Sequence, residues 1–496
     1  MPRKLRPLSG LDAAFLYLEA AGTPMHVGSV MLLRAPGRSP SAAKAMDGRE
    51  RPADNLPDGR RPPKRKRYDF HRDLVAHIRE RLPRAAVLRR VLVEARFDLD
   101  HPAWREIATV DLDRHIVGRQ LAAPGSPAQL WRLVADLHAQ PLPRDRPLWQ
   151  FVVIDGLASG EIAFYSKVHH ALLDGQGGTA LAQALLDVQA NPDARPGVRA
   201  ARDAAPSRRR ATSAKTSVSA RLEQLAGLVR ALPETLKLAA DAIRDAGALL
   251  GSLRDAVTLA PRSPFNVQVG ARRSYAVASL PLDEVKRVAR FFGASLNDVV
   301  LALCAATLRD YLQRCGALPK APLIAAMPIS LRATGDTAAN NQVSMVQCAL
   351  PTQIADPVAR LRAISAATGQ LKARVAGVRS LIPTDFPGFA APIWATGLSR
   401  LWASGQIAER LPQLANLIVS NVPGPPLPLY LAGAKINHYY PVSIVTHGLG
   451  LNITVNSYAG WLEFGLIADR DIVARPAGLA TGLAKALRAL MKKVDK

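Results

Sequence analysis

The chain has 496 residues, enough for two large domains, and its 48% hydrophobic and 21% charged content suits a protein with a real core rather than a repeat or a fibre. A net charge of +25 calls for an anionic partner, unless it is a habit of composition. With 5% aromatic residues and no helix-turn-helix, zinc-finger or RNP-like motif, nucleic acid is the weakest candidate for that partner, behind an anionic membrane surface or a polyphosphorylated small molecule.

The opening "MPRKLRPLSGLDAAFLYLEAAG" imitates an export signal, but Asp12 and Glu19 interrupt its apolar run. Ser9 with Asp12 instead reads as a capping box that starts a helix over residues 8–22. "MHVGSVMLL" (25–33) reads as a strand. Residues 37–68 are rich in Pro, Gly, Arg and Lys, and read as a disordered insertion ending in the basic run "RRPPKRKR", a solvated loop or a contact for an anionic membrane. A helix is expected near 70–82, strands near 85–98, and a helix at 127–139. Two strands, "PLWQFVVIDGL" (147–157) and "EIAFYSKVHH" (161–170), form a hairpin, and a helix follows at 178–190.

Residues 190–218 are polar. Amphipathic basic helices at 219–232 and 234–256 either lie on a membrane or pack across two domains. The second half begins with a strand at 272–282 and a helix pair, "DEVKRVARFFG" and "SLNDVVLALCAATLRDYLQRCG". Strands follow at 322–329, 342–350, 416–422, 449–457 and 461–467, with helices at 355–377 and 474–493. The pattern is α+β twice: a first domain over 1–190, a helical linker over 191–271, and a second domain over 272–496. No stretch reaches the roughly 18–20 apolar residues of a membrane span. Cys304, Cys315 and Cys348 have no CxxC spacing, which fits a reducing compartment, and Cys304 reads as a small buried hydrophobe.

The chemistry concentrates in "KVHHALLDGQGG" (167–178). Adjacent strand residues point to opposite faces, so His169 and His170 cannot easily close on one metal ion, and no acidic residue completes a site. The glycines make neither a P-loop nor a GxGxxG. A proton-transfer role fits better: a histidine of near-neutral pKa accepts a proton from a hydroxyl or thiol, while Asp174 and Gly175 close the turn that aims it.

"HHALLDG" fits the HHxxxDG motif of the bacterial wax ester synthase/acyl-CoA:diacylglycerol acyltransferase family, which the chain resembles over nearly its whole length. "PLSGLDAAFLYLE", the Pro-Leu-Trp at 147–149, the Asn-Asp at 297–298, "MPISLR", "NQVSMVQCALPT", "NLIVSNVPGPPLPLYLAGA" and "YPVSIVTHGLGLNITVNSYAGWLEFGLIADR" follow in the family's order. The insertion at 37–68 departs from it. The resemblance implies two chloramphenicol-acetyltransferase-like domains with a tunnel between them. It also implies transfer of a long-chain acyl group from acyl-CoA to diacylglycerol, a fatty alcohol, or both. His170 would be the general base, His169, Asp174 and Gly175 would shape the loop, and Asn297 would support the oxyanion or cap its helix. Trp149 reads as core. Arg332 is a candidate CoA contact. Acyl-CoA would be a co-substrate with no bound cofactor or metal. The setting would be cytoplasmic, at the inner face of a membrane or lipid inclusion. The rivals are an inactive lipid-binding scaffold, against which the intact HHxxxDG argues, and a condensation-type enzyme acting on a carrier-bound acyl group, for which no carrier domain is present.

Overall fold

A computed structural model describes residues 5–36, 69–94, 101–173, 177–190, 258–330, 343–378 and 412–495. The basic insertion, the linker helices expected at 219–256, Asp174, Gly175 and Arg332 lie outside these residues. Met1–Pro192 and Leu259–Lys496 make one compact unit and Asp193–Thr258 another, and all the described helices and strands belong to the first.

The first half contains β1 (Arg6–Pro7), α1 (Gly10–Leu18), β2 (His26–Arg34), α2 (Phe70–Arg81), β3 (Arg90–Val93), β4 (Ala103–Glu106), β5 (Ile116–Gln120), α3 (Pro127–Ala139), β6 (Trp149–Asp155), β7 (Ile162–His169) and α4 (Gly177–Leu185). The second contains β8 (Arg273–Pro281), α5 (Leu282–Phe292), α6 (Leu296–Arg314), β9 (Leu323–Ser330), β10 (Val343–Leu350), α7 (Pro357–Val378), β11 (Leu417–Val422), β12 (Tyr430–Leu431), β13 (Ala434–Val442), β14 (Leu451–Tyr458), β15 (Trp461–Asp469) and α8 (Ala477–Val494). Part of the stretch expected as strand over 85–98 is instead a 3-10 turn, Ala86–Arg89, before the short β3.

Capping signals fix the helix starts. The Ser9 hydroxyl accepts the Asp12 N–H at 3.1 Å, and Ser126 with Gln129 forms a full capping box at the start of α3. Helix α6 is buried on nearly every side, with Val299, Val300, Leu301, Leu303, Cys304 and Leu308 all at 0% exposure. That is why its apolar residues run together instead of forming one stripe. Burial pushes the Cys304 thiol up to about 12, leaving it inert. Among the described residues, no single helix is long and apolar enough to cross a membrane.

Two six-stranded sheets carry the halves. The second is ordered β10-β9-β11-β14-β15-β8, all from its own half. The first is ordered β12-β13-β2-β7-β6-β5, so two strands from far along the chain complete it. β13 runs antiparallel to β2, with Tyr440 opposite Val30 and Val442 opposite Gly28. Its path also crosses β15. A Cβ on Gly465 would sit 1.8 Å from the Pro441 carbonyl oxygen, and Tyr275 donates its hydroxyl to that same oxygen at 2.8 Å. Only glycine lets these backbones approach so closely. A shared core joins the halves, with Val30, Val134 and Tyr165 packed with Tyr275, Tyr440 and Ile467.

Candidate active site

Strand β7 is buried on both faces. Phe164 and Val168 face the core of the first half, while Tyr165, Lys167 and His169 face the opposite side. The Pro-Leu-Trp segment fixes its end. The Leu148 carbonyl accepts the His169 N–H at 2.9 Å, and Trp149 lies opposite Val168. Trp149 is 1% exposed, donates its indole N–H to the Leu88 carbonyl at 2.9 Å, and stacks on His115 with centroids 4.2 Å apart. Its role in the core agrees with the reading from sequence.

The two histidines part because the strand ends between them, not because a continuing strand alternates. His169 is the last residue of β7, and His170 opens a 3-10 turn, His170–Leu172. The His169 Nδ1 accepts the Ala171 N–H at 3.1 Å and so caps this turn. That nitrogen must be unprotonated, so Nε2 carries the hydrogen and directs it toward Glu19 Oε1, 3.4 Å away. The contact is an electrostatic approach without hydrogen-bond alignment, since His169 Nε2 has no aligned acceptor. Glu19 also accepts the Met25 N–H at 3.1 Å and Arg144 at 3.1 Å. Burial pushes the Glu19 carboxyl up, but His169, Met25 and Arg144 outweigh it and hold the pKa below the usual range.

His170 is held by its backbone and by its ring. Its N–H donates to the Met25 carbonyl at 2.9 Å, its ring stacks on Phe15 with centroids 3.9 Å apart at 20°, and its Nδ1 is buried without a partner on another residue. Burial first, and His169 second, drive its pKa down to about 4, with only its own backbone acting the other way. The near-neutral value expected from sequence is therefore corrected. Desolvation at this turn favours the neutral ring throughout the physiological range.

Residues 8–300 match the wax ester synthase/diacylglycerol acyltransferase catalytic domain, and residues 339–491 match the C-terminal domain of the same family. A probable diacylglycerol O-acyltransferase, tgs2, of Mycobacterium tuberculosis is 35% identical over 491 residues, covering 97% of this chain and 98% of the relative. The chain belongs to this family. The solved wax ester synthase/diacylglycerol acyltransferase from Marinobacter aquaeolei VT8 superposes with a TM-score of 0.67 at 27% identity, over 99% of this chain and 100% of that one. The first condensation domain of the calcium-dependent antibiotic synthetase shares the fold at TM-score 0.54 and 16% identity, over 99% of this chain and 97% of that one. The paired chloramphenicol-acetyltransferase-like architecture is thus the fold of this acyltransferase-family chain.

Other residues singled out from sequence fall elsewhere. Asn297 occupies the first turn of α6 and accepts from the Asn421 side chain at 3.4 Å, at the end of β11. The cap of that helix is Ser295, not Asn297. Among the described residues, no hydrogen bond joins Asn297 to His170. Asp298 has a structural environment. It accepts from the Ser295 N–H at 2.9 Å, Thr368 at 2.7 Å and Ser365 at 3.3 Å, tying α6 to α7. Asp298→Ala is expected to lower unfolding free energy by about 2–3 kcal/mol, through the lost cap and two stranded hydroxyls, measurable as a shifted urea midpoint. A midpoint within error of wild type would refute that role. The surface cavity of about 470 Å³ lined by Arg79, Leu82, Arg89 and Leu112 contains neither histidine, so the site follows the side-chain chemistry rather than that cavity.

Sequence reasoning missed Phe15, Glu19, Met25 and Arg144 as parts of the site. Phe15 and Glu19 lie within the quoted "SGLDAAFLYLE", and a carboxylate closing an apolar helix was the available signal. Met25 and Arg144 act through a backbone carbonyl and a tertiary contact, which leave no local trace.

Proposed function

We propose that this chain transfers a long-chain acyl group from acyl-CoA to the hydroxyl of diacylglycerol, a long-chain fatty alcohol, or both, with His170 as general base. The observation that carries this reading is the placement of His170 at the end of β7, its backbone fixed by the Met25 carbonyl and its ring by the Phe15 stack. A neutral imidazole whose Nδ1 is sealed in protein has Nε2 left to take a proton.

The step balances without a covalent enzyme intermediate. As the acceptor oxygen attacks the thioester carbonyl, its proton passes to His170 Nε2 and a C–O bond forms. The C–S bond then breaks, and the imidazolium returns the proton to the CoA thiolate. A base with so low a pKa is a weak proton acceptor but a strong donor once charged, which favours the second transfer. His169, held by Ala171 and Glu19, keeps the turn in register. Asn297, with Asn421 beside it, is the proposed polar support for the developing oxyanion. Asp174 and Gly175 complete the loop in this reading, and a tunnel between the halves admits both substrates. The excess of basic residues suits CoA phosphates and work at an anionic lipid surface on the cytoplasmic side.

The test is free-thiol release by purified protein given palmitoyl-CoA with either dioleoylglycerol or hexadecanol. Ester formation matching thiol release with at least one acceptor is expected. Tight binding of both lipids without thiol release would instead favour a lipid-binding scaffold and overturn the proposal.

A further inference from the structure

Lys167 is among the largest fully buried side chains, at 1% exposure, and the base mechanism gives it no task. It lies two residues before His169 on the same face of β7. Its Nζ donates to the Leu137 and Gln140 carbonyls at 2.9 Å each. Those oxygens end α3, where helix carbonyls run short of partners along the helix: Leu137 keeps only a 3.4 Å bond from the Gln140 N–H. The Nε2–H of His26 donates to the His138 carbonyl at 2.7 Å, and His26 is the cross-strand partner of His169. Adjacent strands therefore grip the last turn of α3 at three carbonyls.

The same helix is held by the second half. The His138 Nε2–H donates to the Ser443 carbonyl at 2.9 Å, and its Nδ1 accepts from Tyr165 at 2.7 Å. Trp131 of α3 packs edge-on against Tyr275 and Tyr440. We propose that Lys167 is a positioning residue for acyl transfer at His170: its ammonium clamps the last turn of α3 to the strand that carries His169, and so couples the second half's hold on α3 to the placement of the base. The cation suits the negative end of a helix dipole, and an apolar side chain would take away the Gln140 carbonyl's donor and leave the Leu137 carbonyl only the 3.4 Å bond from the Gln140 N–H.

The groups around Lys167 are Glu19 on the α1 side, His26 on β2, His138 on α3 and His169 on its own strand. Burial lowers the Lys167 pKa to about 8, with Glu19 opposing it. Above that pH the amine keeps weaker donors and loses its charge, so kcat declines on the alkaline side.

The inference rests on His170 being the base, and the test separates the two. Profiles of kcat against pH from 6 to 10 are measured for wild type, Lys167→Met, Lys167→Arg and His170→Ala, with circular dichroism on each. Lys167→Met is expected to lose roughly 10–100-fold in kcat, with KM for palmitoyl-CoA within about twofold of wild type. The alkaline decline should vanish in it, and should move to higher pH in Lys167→Arg, which recovers most of the rate. A folded Lys167→Met with wild-type kcat and the same alkaline decline overturns the inference. If Lys167→Met does not fold, an unchanged decline in Lys167→Arg overturns it. An active His170→Ala overturns the base assignment instead, whatever the lysine variants do.

Discussion

Replacing His170 by alanine is expected to lower kcat roughly 10²–10⁴-fold, the usual contribution of a positioned general base, while far-UV circular dichroism stays that of wild type. The ring is half-buried, and the alanine backbone still donates to the Met25 carbonyl, so the turn survives. The variant loses the proton acceptor and the stacked face of Phe15, and neither holds a strand in place. On the acid side, wild-type activity should fall as pH drops through about 4, because below that value the ring is protonated and can accept nothing. The sign for stability follows from the same depression. His170, His26 and His138 all have pKa values below the ordinary histidine range, chiefly through burial. The unfolded chain therefore takes up protons first, so stability falls as pH drops below the ordinary histidine value of roughly 6.5. An acid limb centred near pH 6.5 would contradict the burial argument, and a His170→Ala enzyme within threefold of wild type would end the assignment.

Trp149→Ala should cost about 3–5 kcal/mol of stability, more than Asp298→Ala. Trp149 is 1% exposed and is sandwiched with His115 and Phe151. Its removal opens a cavity and strands the Leu88 carbonyl that its indole satisfied. The damage should reach the site, because Leu148, its neighbour, receives the His169 N–H. Urea titration checks the stability, and thiol release at a temperature well below the transition checks the site. Trp149→Phe should recover much of the stability, since the ring stack persists, but not the Leu88 bond. A Trp149→Ala protein with a wild-type urea midpoint would show that the surroundings refill the space, against the packing described.

The sequence made the histidine turn easier to find than its support. Adjacent histidines after an apolar strand, with a Pro-Leu-Trp strand before them, were enough to place the histidine pair at the end of a hairpin, and β6 and β7 are that hairpin. Alternation was the wrong reason for separating the histidines, because strand endings depend on hydrogen bonds that periodicity does not encode. Lys167 is the clearest case of a silent residue. A lysine inside an apolar strand reads as an exposed edge position, and only α3, some thirty residues earlier in the chain, supplies the carbonyls that bury it. β13 was hidden for related reasons. Lys435, Asn437, His438 and Pro441 dilute its alternation, its register slips between Ile436 and His438, and its partner is at the other end of the chain. The 3-10 turn at Ala86–Arg89 has the composition of a strand and differs only in its backbone.

The placement of β13 also sets an order of events during synthesis. β2 ends at Arg34, and the strand that covers its outer edge starts at Ala434. At ribosomal rates of about 5–20 residues per second, that edge waits roughly 20–80 seconds for its partner. Until then the first sheet is a template open to any extended peptide, including another nascent copy. The halves cannot mature one after the other like beads on a string. The first is finished only when the last hundred residues arrive.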